Sequence, residues 1–316
     1  MPLVEVSGLT RSFGDTNALA GLDFEVERGT VLGMLGPNGA GKTTAVRILT
    51  TLLRPNAGTA LIDGINVATE PRRIRTRIGL TGQYAAVDER LTARENLQLI
   101  GRFFRMNKAD SRERAAELLA KFRLEEAGDR VVSGFSGGMR RRLDISMSLV
   151  ARPIVLFLDE PTTGLDPRSR MEMWDLIDEL TADGMTTLLT TQYLDEADRL
   201  ADQILVIDHG RGIATGTADE LKDRVGGARV SFDVGDAAPE AVLAGIGELR
   251  SALGEPFTAD GAFVVPVRPG TTAPQVMRSL MSAGIDVVDF ELQRPTLDDV
   301  FLTLTGRPAE EVVADE

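Results

Sequence analysis

Nine consecutive residues constrain this chain more than any others: Gly36-Pro37-Asn38-Gly39-Ala40-Gly41-Lys42-Thr43-Thr44. They match G-x-x-x-x-G-K-[ST], a loop that wraps phosphates. Its glycines let successive backbone N–H groups turn inward, with no Cβ to block an anion. Lys42 can reach the β- and γ-phosphates of a nucleotide, and the Thr43 hydroxyl can ligate Mg²⁺. The flanks agree. Residues 30–35 (TVLGML) read as a buried strand and residues 42–53 as a helix, whose N-terminal partial positive charge attracts phosphate. A glycine-rich turn that holds nothing is the plain alternative, and the strand-loop-helix context argues against it.

Composition narrows the classes. The 316 residues suffice for one large domain or two smaller ones, and a hydrophobic content of 43% implies a packed core. The formal net charge of −13 makes the chain a poor non-specific binder of nucleic acid. With no cysteine, disulfides, thiolate catalysis and cysteine zinc sites are excluded. His209 is the only histidine, which leaves no second imidazole for a multi-histidine metal site. The N-terminal residues Met1-Pro2-Leu3-Val4-Glu5 show neither a basic nor an apolar leader pattern, so no signal peptide is expected. The longest apolar runs, 154–158 and 185–189, are strand-length, against roughly 18 to 20 residues for a membrane span. The expectation is a soluble cytoplasmic chain that can sit on a membrane partner.

Short alternating strands are expected at 3–6 and 22–26, and further strand pieces at 60–62 and 78–81. From about 89 to 130 the pattern turns helical. Residues 154–158 (IVLFL) read as a buried strand ending in Asp159-Glu160. Asp166 and Pro167 read as N-cap and first turn of a helix with an apolar stripe of Met171, Trp174, Ile177 and Leu180. Strands at 186–191 and 204–207 complete an alternation that argues for a largely parallel α/β sheet. A composition shift near 224–227 opens a smaller α+β part of ferredoxin-like pattern. It has strands at 229–234, 263–267 and 285–290, and helices at 239–253 and 274–283. Thr296-Leu297-Asp298-Asp299 opens a last helix with apolar face Leu297, Val300, Phe301 and Leu304, and the acidic tail 307–316 reads as disordered.

Two constellations add chemistry. Asp159, at a strand end, can hold Mg²⁺ through water, and the adjoining Glu160 can orient and deprotonate an attacking water. Ser136-Gly137-Gly138 precedes an arginine-rich helix and makes a second anion cradle by the same physics as the first. One chain needs one cradle, so two suggest that one is offered to another copy.

Together these motifs resemble the nucleotide-binding subunits of ABC transporters, over residues 3–220. Phe135-Ser136-Gly137-Gly138-Met139 stands where that family has its L-S-G-G-Q signature. Asp159-Glu160-Pro161-Thr162 corresponds to its Walker B strand end, Gly164-Leu165-Asp166-Pro167 to its D-loop, and Gln83 to its Q-loop glutamine. Phe13 sits where an aromatic stacks on adenine. The resemblance implies an α/β P-loop NTPase domain over 1–225, with an antiparallel β subdomain and a helical subdomain at about 85–150. The small C-terminal α+β domain follows at 226–306. It implies ATP and Mg²⁺, with nucleotide contacts from Phe13, residues 36–44, Ser136, Gly137, Gly138 and Asp166. Metal contacts would come from Thr43, Gln83 and Asp159, and catalytic groups from Glu160, Gln192, Gln83 and Lys42. Its partners would be a second copy, forming a homodimer around two ATP molecules, and an integral membrane permease subunit at the cytoplasmic face of the membrane. No nucleic acid is expected. Residues 86–97 are the expected contact with the permease.

Three positions depart from the family pattern. Phe135 replaces leucine and should pack similarly. Met139 replaces glutamine and loses a polar contact. Gln192 stands where the family has a histidine; its amide can donate to a γ-phosphate but cannot become cationic. His209 does not replace that histidine and reads as a turn residue. Thr191-Gln192-Tyr193 and the part after 226 are similar to the daunorubicin/doxorubicin-resistance type of drug-exporter ATPase, which implies export of a hydrophobic drug or other amphiphile. A soluble ABC ATPase of translation or DNA repair is the alternative, disfavoured by the single phosphate loop and the lack of a sustained heptad run. A nucleotide kinase would leave Ser136 to Gly138 and Gly164 to Pro167 unexplained.

Overall fold

The computed structural model describes residues 2–82, 86–225, 229–233, 257–259, 262–266, 273–282, 287, 289–293 and 295–305. Gln83, the helix expected at 239–253 and the tail 307–316 lie outside the described residues. The chain divides into two compact units, Met1–Ala218 and Asp219–Pro308.

In the first unit, β1 (Val4–Phe13) and β2 (Thr16–Val26) pair antiparallel, and β4 (Ala57–Ile62) and β5 (Ile65–Asn66) extend them into a sheet ordered β2-β1-β4-β5. Alternation sets the faces: Val4, Val6 and Leu9 are buried while Glu5 and Ser7 are not. A second sheet contains β3 (Val31–Leu35), β6 (Ile78–Thr81), β7 (Val155–Asp159), β8 (Thr186–Thr191), β9 (Gln203–Asp208) and β10 (Arg211–Gly216). Its order is β10-β9-β3-β8-β7-β6, parallel except for the edge pairing of β10 with β9.

Strands β3, β7 and β8 are buried along their whole length because both faces are covered. Successive residues of β7 divide between two cores. Val155 and Phe157 pack with Ile48 and Leu49 of α1 (Lys42–Leu49), whereas Leu156 and Leu158 pack with Trp174 and Ile177 of α6 (Pro167–Ala182). Each fully buried Leu or Phe contributes roughly 1.5–3 kcal/mol. The register aligns the strand ends: Leu35 faces Thr191 and Asp159 faces Thr190. Ligands of open α/β sheets bind at such carboxyl ends.

Helix α1 is shorter than the sequence pattern suggests. It stops at Leu49 because Thr51 adopts a left-handed φ of 64°, and Thr51 and Leu52 donate back to Ile48 and Arg47. That reversal satisfies the last carbonyls. After α2 (Pro71–Arg75), the expected helical insertion resolves into α3 (Ala93–Phe103) and α4 (Lys108–Lys121), followed by α5 (Gly137–Ser148). Thr92 and Glu95 form a capping box on α3, and Asn107 caps α4. Asp166 caps α6 by accepting from Ser169 N–H at 3.0 Å. Met171, however, is 56% exposed. The buried arc of α6 runs through Met173, Trp174, Leu176, Ile177 and Leu180, and at 100° per residue Met171 falls on the far side. Helices α7 (Leu194–Leu200) and α8 (Ala218–Val225) follow β8 and β10. His209 and Gly210 join β9 to β10 with φ of 46° and 74°, the positive pair of a tight hairpin turn.

The second unit holds β11 (Arg229–Asp233), β12 (Phe257–Ala259), β13 (Ala262–Pro266), α9 (Ala273–Ser282), β14 (Asp289–Gln293) and α10 (Leu297–Thr305). The antiparallel order β12-β13-β11-β14 is that of a ferredoxin-like β-α-β-β-α-β unit. Of the strand expected at 285–290, residues 289 and 290 open β14, whose register spans all of β11; residues 285, 286 and 288 lie outside the described residues. Thr296 and Asp299 cap α10 reciprocally. Its buried face is Leu297, Val300 and Phe301; Leu304, expected among them, is 41% exposed.

Candidate functional site

Strand β3 ends at Leu35, and the loop that follows turns into α1 at Lys42. The Lys42 ammonium, 4% exposed, donates to Gly36 O at 2.5 Å and Pro37 O at 3.1 Å and lies 3.7 Å from Glu160 Oε1. Burial lowers its pKa, and the neighbouring Glu160 and Asp159 charges oppose that shift. The loop geometry requires glycine at two points. A Cβ on Gly36 would lie 2.2 Å from Ile207 O, and one on Gly41, at φ 109°, 2.4 Å from Ala18 O. The amino end of α1 opens on a cleft of about 250 Å³ lined by Phe13, Ala18, Pro37, Asn38, Gly39, Gly41, Lys42, Thr43, Thr44 and Glu160. Gly36 supplies its carbonyl to Lys42, and Ala40 is buried under the loop. Phe13 is 48% exposed, with the Arg11 guanidinium 4.8 Å above its ring.

Two strands and a helix bring the polar groups together. Asp159 Oδ1, at the end of β7, accepts from Thr43 Oγ1 of α1 at 3.1 Å and from Thr190 Oγ1 of β8 at 2.6 Å. The Thr43 hydroxyl and Asp159 carboxylate are hard oxygen donors of the kind Mg²⁺ takes. Glu160 has φ 49°, a left-handed conformation that costs a non-glycine residue about 1–2 kcal/mol. Its N–H is held by Thr190 O and Thr190 Oγ1, each at 3.1 Å, and its carbonyl by Arg141 Nη2 at 3.0 Å.

The other described candidates, Ser136, Gly137, Gly138, Asp166 and Gln192, do not line this cleft. Ser136 and Gly137 are exposed at the start of α5, where Ser136 Oγ accepts from Met139 N–H at 3.2 Å. Gly138 is buried: a Cβ there would lie 2.8 Å from Ser169 Oγ, so α5 and α6 approach closely. Asp166 is exposed at the cap of α6. Gln192, half-buried, follows β8 directly. Phe135 packs at 3% exposure, and Met139 packs against the second core. Four residues after Gln192, the Glu196 carboxylate is fully buried. It accepts from Thr162 Oγ1 at 2.7 Å and Trp174 Nε1 at 3.0 Å, and burial raises its pKa. Thr190 and Arg141 were missed by sequence reasoning. The only signals were a threonine run and an arginine-rich helix, neither of which gives a register.

The profile of the family described as ABC transporter matches residues 19–163, and that of the ATP-binding protein DrrA1-3-like C-terminal domain matches residues 216–305. The daunorubicin resistance ATP-binding protein DrrA2 of Streptomyces coeruleorubidus is 52% identical, over 99% of this chain and 98% of the relative. The chain belongs to the ATP-binding subunits of ABC transporters. The daunorubicin/doxorubicin resistance ATP-binding protein DrrA of Streptomyces peucetius is 49% identical, over 99% of this chain and 95% of its own. The Nod factor export ATP-binding protein I of Ralstonia nicotianae is 41% identical, over 97% and 94% respectively. A solved ATP-binding subunit of an ABC transporter superposes with a TM-score of 0.63 at 31% identity, covering 70% of this chain and 92% of that one. The subunit is therefore a transport-coupled ATPase with the P-loop fold that its motifs imply. Among the described residues, no helix is long and apolar enough to cross a membrane.

Proposed function

We propose that this subunit dimerises on ATP and, by hydrolysing it, powers export of a hydrophobic drug or other amphiphile through a separate integral membrane permease at the cytoplasmic face of the membrane. The observation that carries this reading is similarity over nearly the whole chain, C-terminal unit included, to resistance ATP-binding proteins at 47–52% identity. Lys42 and the backbone N–H groups at the amino end of α1 bind the phosphates, Phe13 stacks on adenine, and Thr43 and Asp159 would hold Mg²⁺, which when bound neutralises charge on the phosphates. Glu160 is the general base that orients and deprotonates water. Its backbone bonds to Thr190 and Arg141 support this reading, because they fix the carboxylate before substrate arrives. Gln192 donates to the γ-phosphate as a neutral sensor, and Gln83 completes the metal and water contacts.

The exposed Ser136, Gly137 and Asp166 support a head-to-tail dimer, in which each copy closes the other's phosphate loop. Residues 86–97 carry the movement to the permease. Solubilised membranes are expected to yield the subunit together with an integral membrane protein, and cells holding both are expected to exclude a fluorescent amphiphile only while Glu160 is intact. Stable association with ribosomes or RNA and no membrane protein would overturn the transport reading.

A further inference from the structure

The side chain of Arg141, on α5 three residues after Gly138, is 8% exposed and lies wholly inside the first unit. Its guanidinium makes contacts on every side. Nε donates to Pro161 O at 2.8 Å, Nη1 to Gly82 O at 2.6 Å, and Nη2 to Asp159 O at 3.2 Å and Glu160 O at 3.0 Å. Asp144, one turn along α5, balances the charge at 3.4 Å, and its other oxygen accepts from Ala86 N–H at 2.9 Å.

These bonds have a common target. Residues 159 to 161 are where β7 ends and Glu160 turns left-handed, and their three successive carbonyls all accept from Arg141, that of Glu160 also from Thr163 N–H at 3.4 Å. A buried carbonyl without a donor is costly. The planar five-donor fork of arginine suits several acceptors at fixed angles, whereas a lysine ammonium offers three donors from one point. We infer that Arg141 is a positioning residue for hydrolysis: its guanidinium holds the backbone of Glu160 in the left-handed turn and ties it to Gly82 and to the helix that begins with the Ser136-Gly137-Gly138 cradle. The inference rests on Glu160 being the base. Arg141 itself does not line the cleft; it reaches the cleft-lining Glu160 only through the backbone carbonyl. Any shift of α5 is transmitted through its guanidinium to the carbonyls beside the base.

The test uses the full chain and three variants: Arg141→Lys, Arg141→Gln and Glu160→Gln. Phosphate release against ATP concentration gives kcat and KM, and Trp174 fluorescence gives the thermal transition. In Arg141→Lys, kcat is expected to fall about fivefold or more with KM within about threefold, since misplacing a reacting group by an ångström can cost roughly 100-fold. Arg141→Gln, which keeps one amide donor, is expected to fall further in kcat. A kcat reduced less than about fivefold in both variants would overturn the inference. So would loss of nucleotide binding together with the thermal transition in both, which would make Arg141 a scaffold residue only. The Glu160→Gln arm separates the two readings: hydrolysis retained there removes the base assignment, whereas hydrolysis lost there with unaffected Arg141 variants removes the positioning role alone.

Discussion

Thr190 Oγ1 donates to Asp159 Oδ1 at 2.6 Å, across the pairing of β8 with β7, so one hydroxyl orients the strand-end carboxylate. The same oxygen accepts the Glu160 N–H at 3.1 Å. It therefore couples the side chain proposed for the metal to the backbone of the side chain proposed as base. Thr43 approaches the same Asp159 oxygen from α1 at 3.1 Å, so three separate elements converge on a single atom.

Thr190→Val tests this coupling with little change in volume. Glu160 N–H keeps Thr190 O as acceptor, so no donor is orphaned, but Asp159 loses its orienting bond. The expected outcome is a stability loss of about 1 kcal/mol and a roughly tenfold loss in kcat/KM, with a raised Mg²⁺ requirement. Titrating phosphate release against Mg²⁺ checks it, and an unaltered Mg²⁺ midpoint would count against the role.

Glu160→Gln keeps the size and the backbone bonds but removes the base. Hydrolysis is expected to fall by about 100-fold or more while ATP still binds, since general bases contribute roughly 10²- to 10⁴-fold. The ATP-bound variant is expected to elute as a dimer in size-exclusion chromatography. Full turnover in this variant would remove Glu160 from the base role.

Gln192→Ala removes the amide that follows β8. Turnover is expected to slow by about tenfold, with ATP affinity changed by less than about threefold, as for a contact that matters mainly in the transition state. Gln192→His would add a titratable group, and its pH–rate profile is expected to gain an inflection near the ordinary histidine value of about 6.5. Parallel profiles and unchanged turnover in both variants would end the sensor assignment.

Glu196 makes stability depend on pH in a defined direction. Burial raises its carboxyl above the ordinary value of 4.5, so the folded state holds the proton more tightly than the unfolded state. The group's contribution is complete below that ordinary value and is lost as pH rises through the raised folded-state value. Glu196→Gln keeps an acceptor for Thr162 and Trp174 but carries no charge. Relative to the native chain, its Tm is therefore expected to rise progressively as pH increases above that ordinary value. A Tm difference independent of pH would sink this account.

Much of the architecture was legible because it is written locally. The apolar run at 155–158 can only be a strand covered on both faces. The Asp166-Pro167 cap and the Thr296 capping box announce helices within four residues. Errors came where the reading had to cross from one element to another. The helix at 42–53 ignored the left-handed reversal at Thr51, and the stripe assigned to Met171 ignored which side of α6 meets the sheet.

By itself, the sequence determined the glycine-rich loop, the strand-end acids and the Ser136-Gly137-Gly138 start of α5, since each needs only a few consecutive residues with particular backbone freedom. Tertiary structure alone decided that Thr190 lies on Asp159, that Arg141 clasps the turn of Glu160, and that the buried Glu196 accepts from Thr162. Those contacts join residues 31, 19 and 34 positions apart. Their existence depends on parallel strand register and helix packing, which are set by the whole core rather than by any local run.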